Sequence, residues 1–95
     1  MCVLVLVSTK DRYGYELVEK ISKHIEISEG TIYPILRRLT QEKYFETYLK
    51  ESSEGPPRKY YRMTPQGHDE TQQMKMAWKQ FLKNVNTIIN EEQND

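Results

Sequence analysis

With 95 residues and no formal net charge (14 Lys+Arg against 14 Asp+Glu), the chain is bounded to one domain with a modest core. Its one cysteine, Cys2, excludes an intramolecular disulfide and a multi-cysteine zinc site. The apolar run Val3–Val7 is too short to span a bilayer and lacks the basic start and small-residue cleavage site of a signal peptide, so a cytoplasmic protein is expected.

Residues 2–7 form a short apolar run whose length leaves strand and buried helix both open. Ser8 to Arg12 reads as a polar loop. A helix is predicted over Tyr13–Ile25, where Leu17, Val18, Ile21 and Ile25 recur at steps of three and four on one face. Glu16 and Glu19 precede Lys20 and Lys23 by four on the exposed side, the favourable order for such pairs. Gly14 adds nothing to the apolar face and sits between Tyr13 and Tyr15.

After a brief link at Glu26-Ile27, Ser28 reads as an N-cap, and Glu29 lies in a first turn that suits a carboxylate. The helix predicted over Glu29–Lys43 buries Ile32, Ile35, Leu36 and Leu39. Pro34 falls in the first turn or just past it, where a missing N–H costs little. Tyr44–Glu51 alternates Tyr44, Glu46, Tyr48 and Lys50 with Phe45, Thr47, Leu49 and Glu51, so a strand is predicted.

Ser52–Pro57 is the expected turn, with Gly55-Pro56-Pro57 as a loop tip because proline is excluded from central strands and helix interiors. Arg58–Met63 is the return strand, with Tyr60 and Tyr61 on opposite faces. Thr64-Pro65 supplies an N-cap and a proline at the first helical position. One long helix then runs from Pro65 to about Glu91, ahead of a frayed polar tail at Glu91–Asp95. Its apolar residues Met74, Ala77, Trp78, Phe81, Leu82, Val85, Ile88 and Ile89 keep a three-four rhythm. That stripe is too long for so small a domain to bury alone, which makes it a dimer seam.

If the opening run is helical, the order is three helices, a basic hairpin and a long helix. The expected fold is therefore mainly α with a small β-hairpin (α+β): a winged helix-turn-helix domain over 1–64 and a C-terminal dimerisation helix with its polar tail over 65–95. Basic excess is local. Residues 1–68 hold eleven Lys/Arg against nine Asp/Glu, and residues 69–95 hold three against five. DNA affinity must therefore come from side chains aimed at phosphates and from doubling them in a dimer.

Ser28–Leu39 is the candidate recognition helix. Small or hydroxylated residues at its start allow close approach to a duplex, its free N–H groups can hold phosphate, and Arg37 and Arg38 follow one turn later. The competing reading of this segment is an ordinary amphipathic surface helix. Arg58, Lys59 and Arg62 are either solvated strand charges or contacts to backbone and minor groove, and the Gly-Pro-Pro tip beside them favours contact. Trp78 is either packing for its own domain or a partner helix, or a stacking surface for a flat aromatic ligand at an interface. His24 and His68 lie far apart with no ligand cluster beside them, the serines lack a nucleophile elbow, and no glycine-rich phosphate loop occurs. No enzyme, metal site or cofactor is expected.

Three segments, YGYELVEKI (13–21), SEGTIYPILRRLTQEKYFE (28–46) and EGPPRKYYRMTPQGHDE (54–70), together resemble the PadR family of transcriptional regulators. The resemblance implies a homodimeric repressor whose last helix packs on the partner's first helix, so that two winged domains face successive major grooves of a near-palindromic operator. It implies DNA contacts from Tyr15, Ser28, Gly30, Thr31, Tyr33, Pro34 and Arg37 on the helices and from Arg58 and Lys59 on the wing. A single last helix resembles the family's smaller subtype, in whose drug-responsive members a tryptophan lines a pore between subunits. Trp78 falls at that place, which implies a planar hydrophobic effector. The sequence departs from the family at two points. The apolar run opens at Cys2, where relatives have several preceding residues. Lys43-Tyr44 stands where the recognition helix usually ends in glycine, so its C-cap must be a non-glycine residue. The alternative function is a winged-helix module used only for protein contacts, which the zero net charge favours.

Overall fold

The computed structural model describes residues 1–94. Four helices and one small antiparallel sheet follow in the order α1 (Cys2–Thr9), β1 (Arg12–Tyr13), α2 (Gly14–Ser22), α3 (Glu29–Gln41), β2 (Phe45–Ser52), β3 (Gly55–Met63) and α4 (Pro65–Asn94). The opening apolar run is a helix, and it buries Val3, Leu4 and Val7 at helical spacing. These pack with Leu17, Val18 and Ile21 of α2, Ile32, Leu36 and Leu39 of α3, and Phe45, Tyr61 and Met63 of the sheet. Leu17, Ile32 and Leu36 are wholly enclosed, and each such side chain contributes about 1.5–3 kcal/mol through burial.

Several expected boundaries move. The segment expected as a loop at Ser8–Arg12 contains the last two residues of α1 and the first residue of β1. Arg12 is buried there with each of its three nitrogens engaged: Nε donates to the Leu6 carbonyl at 3.2 Å, one terminal nitrogen to Thr9 Oγ1 at 3.1 Å and the other to Glu16 Oε2 at 3.0 Å. One guanidinium thus closes the end of α1 and holds the start of α2. Helix α2 begins at Gly14 and ends at Ser22, earlier than the expected Ile25, so Ile25 is exposed and leaves the buried face.

Pro56 and Pro57 lie within β3 and not at a loop tip. Ser52 pairs with Gly55 and Lys50 with Arg58, and the register shifts between them, so both prolines fall where the ladder asks no donor of them. The hairpin gains a third strand: β1 pairs with β3 through Arg12↔Tyr61 and Tyr13↔Tyr60, giving the order β1-β3-β2. Tyr61 faces the core, while Tyr60 stacks with Tyr48 at 5.5 Å on the outer face. Tyr48 Oη donates to Asp11 Oδ2 at 2.7 Å, tying β2 to the turn before β1 across the whole sheet. That hydrogen bond, with some burial, raises the Tyr48 hydroxyl above its ordinary value of 10.0.

The end of α3 interlocks with the start of α4. Lys43 adopts φ 67°, Tyr44 N–H donates to the Leu39 carbonyl at 3.0 Å and Lys43 N–H to that of Thr40 at 3.0 Å. These bonds are the Schellman arrangement, made here without glycine. The Tyr44 carbonyl in turn accepts from Thr64 N–H at 3.0 Å, and Thr64 Oγ1 caps α4 by accepting from Gly67 N–H at 3.0 Å. A Cβ on Gly67 would collide with the Tyr44 carbonyl oxygen, so only glycine lets the two helix ends meet. Helix α4 continues to Asn94, past the expected end near Glu91; the final residue of the expected tail, Asp95, lies outside the described residues. Only its first turns touch the domain, and the rest extends the molecule to 61 Å along its longest axis.

Candidate nucleic-acid interface

Helix α3 presents its first turn to solvent. Ser28, Glu29, Gly30, Thr31, Tyr33 and Pro34 are all exposed, while Ile32 and Leu36 anchor the helix from behind. Ser28 takes the N-cap backbone conformation (φ −98°, ψ 162°), but its hydroxyl makes no capping bond and lies 3.4 Å from Thr31 Oγ1. The Ser28 carbonyl accepts from the N–H groups of Thr31 and Ile32, so the N–H groups of Glu29 and Gly30 have no partner within the helix. Pro34 is the sixth residue of α3, beyond the first turn, and its missing N–H leaves the Gly30 carbonyl without its helical donor. The turn therefore carries free backbone donors and a free acceptor beside two hydroxyls, an arrangement able to bind phosphate and base edges.

Tyr33 leans from α3 onto the start of α2, with its ring against Gly14. Burial above all, then Glu29, Tyr13 and Tyr15, raises its hydroxyl above the ordinary 10.0, so it is neutral and able to donate or accept at neutral pH. Tyr33 separates two hollows. One, of about 350 Å³, is lined by Tyr13, Gly14, Tyr15, Tyr33, Arg58, Lys59 and Tyr61. The other, of about 260 Å³, is lined by Tyr33, Arg37, Thr40, Gln41, Lys59 and Tyr61. The start of α2, the outer side of α3 and the root of the hairpin thus form one surface. Two of the cations on it lie against aromatic faces: Arg58 Cζ lies 4.8 Å from the Tyr13 ring centre and Lys59 Nζ 5.9 Å from that of Tyr61.

Of the residues singled out in the sequence, Tyr15, Tyr33, Arg37, Arg58 and Lys59 come together around these hollows. Ser28 and Thr31 sit further along, beside Glu26 and Ile27, with Gly30 and Pro34 exposed on the same helix. Arg62 lies apart on the outer sheet face, paired with Glu46 at 3.1 Å. Sequence reasoning missed Gly14, whose value lies in the space it leaves for Tyr33. A glycine in the first turn of a helix, between two tyrosines, was the available signal. On α4, Trp78 (46% exposed) stacks with Phe81 (55%) at 5.7 Å, and Leu82, Ile88 and Ile89 are also exposed. Met74 is half-buried against the core, so the domain itself covers only the near end of this stripe. Among the described residues no group of His, Cys, Asp and Glu is arranged to hold a metal, and no helix is long and apolar enough to cross a membrane.

Comparison with known proteins agrees with this geometry. The model of the transcriptional regulator PadR-like family matches residues 3–73. An uncharacterised protein from Lysinibacillus sphaericus is 35% identical over 91 residues, covering 92% of this chain and 84% of its own length. The crystal structure of a PadR-like transcriptional regulator from Bacillus cereus superposes with a TM-score of 0.84 at 42% identity, over 93% of this chain and 87% of that one. A Bacillus subtilis PadR solved in complex with operator DNA superposes with a TM-score of 0.67 at 22% identity, over 77% of this chain and 42% of that one, a likeness of fold.

Proposed function

The chain belongs to the PadR-like family of transcriptional regulators, and from that premise we propose that it is a repressor that binds a near-palindromic operator as a homodimer. The observation that carries this reading is the single exposed surface shared by Tyr15, Tyr33, Arg37, Arg58 and Lys59, drawn from three separate stretches of chain. Arg37, Arg58 and Lys59 neutralise phosphates and set the register. The open start of α3, with Ser28, Gly30, Thr31, Tyr33 and Pro34, reads base edges in the major groove.

Zero net charge is compatible with this, because Arg37, Arg58 and Lys59 lie together on the reading face and a dimer doubles them. The exposed stripe from Ala77 to Ile89 supports dimerisation through α4, since an apolar face of that length is unusual on a monomer. A planar hydrophobic effector stacks on Trp78 within the dimer and loosens the operator complex. Titration of Trp78 fluorescence with aromatic cations and dyes tests that step, and a flat response across the panel removes it.

The test of the main proposal is selection of duplexes from a random pool, followed by binding as a function of salt. Three phosphate-neutralising cations per protomer predict a log–log slope of about −5 for a dimer. Replacing Arg58 and Lys59 with Ala weakens binding to all sequences alike and flattens the slope. A pool that yields no preferred duplex at low salt refutes the proposal.

A further inference from the structure

We infer that Gly14 is a positioning residue for base reading: the space left by its missing side chain holds the Tyr33 ring folded back on α2, and so fixes where Tyr33 meets the duplex. The inference rests on the DNA-reading proposal and assigns a new role within it. Gly14 is the first residue of α2 and is buried. Its backbone is not in the left-handed region, so alanine is conformationally acceptable there; what the position lacks is room. A Cβ on Gly14 would stand 2.8 Å from Tyr33 Cε1, 3.6 Å from Cζ and 3.5 Å from the hydroxyl oxygen, all belonging to one ring. A glycine at a helix start sacrifices propensity, and the nearest neighbour that gains is this ring.

Tyr33 is 36% exposed and is not one of the wholly enclosed core residues, which are Leu17, Ile32, Leu36 and Phe45 among others. Displacing its ring therefore changes the surface more than the core. The surface concerned is the reading face, because Tyr33, with Lys59 and Tyr61, lines both the hollow that holds Arg58 and the hollow that holds Arg37. With the ring held down, its hydroxyl stays beside these cations. With the ring pushed off, the hydroxyl swings outward and the base contact it makes is lost, while the phosphate contacts remain.

The experiment is a double-mutant cycle on the full chain, using a duplex enriched from a random pool by the wild-type protein and a scrambled duplex as reference. Gly14→Ala is expected to reduce preference for the enriched duplex about tenfold, the usual scale of one lost base contact, with scrambled-duplex affinity nearly unchanged. Tyr33→Ala is expected to do the same, and the double variant to be no worse than Tyr33→Ala alone. A readout without DNA accompanies it: the tyrosine titration component that disappears in Tyr33→Phe should move down toward the ordinary value in Gly14→Ala, as the ring leaves its packed site. Wild-type preference retained in Gly14→Ala overturns the inference. So does a Gly14→Ala loss that is undiminished in the Tyr33→Ala background, since glycine would then act independently of the ring. A wild-type protein that enriches no duplex refutes the DNA-reading proposal itself, a result separate from either of these.

Discussion

Gly30→Ala should stabilise the protein and weaken its binding to DNA. Gly30 is the second residue of α3, is exposed and has no left-handed backbone, so the residue is not there for conformational freedom. An added Cβ would meet only Ser28 Oγ, at 3.7 Å, an ordinary contact. Relief of backbone entropy at a compatible site is worth about 0.5 kcal/mol, which for a domain of this size raises the melting midpoint by about 2–4 °C. The new methyl, however, stands on the turn proposed to approach the duplex and separates the free N–H groups from their phosphate. A loss of about tenfold in affinity for the preferred duplex is expected, comparable to one spoiled base contact. Both quantities are to be read on one preparation at fixed protein concentration, because a dimer's midpoint depends on concentration. A falling midpoint together with weaker binding shows that Gly30 is structural. A raised midpoint with unchanged binding shows that the first turn of α3 does not meet the duplex, and either result rules out this role for Gly30.

The same comparison elsewhere in the chain gives opposite signs. Gly67→Ala drives a Cβ into the Tyr44 carbonyl, which is already committed to Thr64, and should destabilise by about 2 kcal/mol in urea unfolding. Lys43→Gly relieves a left-handed lysine in the cap of α3 and should stabilise by about 1 kcal/mol, with no effect on DNA binding. Raising pH should destabilise the protein from about 10 upward. The Tyr48 hydroxyl bonded to Asp11 and the buried Tyr61 hydroxyl both have raised folded values, so their stabilisation is complete below the ordinary 10.0 and disappears as pH climbs through those values. Tyr48→Phe should make that alkaline decline shallower in a series of thermal melts.

Helix α3 and the wing strands were legible because their signals are local. Ile32, Leu36 and Leu39 keep helical spacing, Phe45 and Tyr61 alternate inward, and Thr64-Pro65 announces a cap that the Gly67 N–H fills. The strained C-cap was also foreseeable, since no glycine follows Gln41 and Lys43 takes the left-handed turn. What escaped depends on residues distant in sequence. Strand β1 is two residues long and exists only because Arg12 and Tyr13 pair with Tyr61 and Tyr60. The two prolines enter β3 because a register shift after Lys50 frees them from the ladder. The wing cations and the α3 residues were identifiable one by one. Their convergence with Tyr15 required the fold, and the space at Gly14 depends on a ring nineteen positions later.

The reading face is tested most directly by backbone amide chemical-shift mapping during titration with the duplex enriched from a random pool. The largest changes are expected at 28–37, at Gly14 and Tyr15, and at Arg58 and Lys59, with little change at Glu46, Tyr48 and Arg62 on the outer sheet face. Changes centred on that outer face, or on the exposed stripe of α4, would contradict that placement.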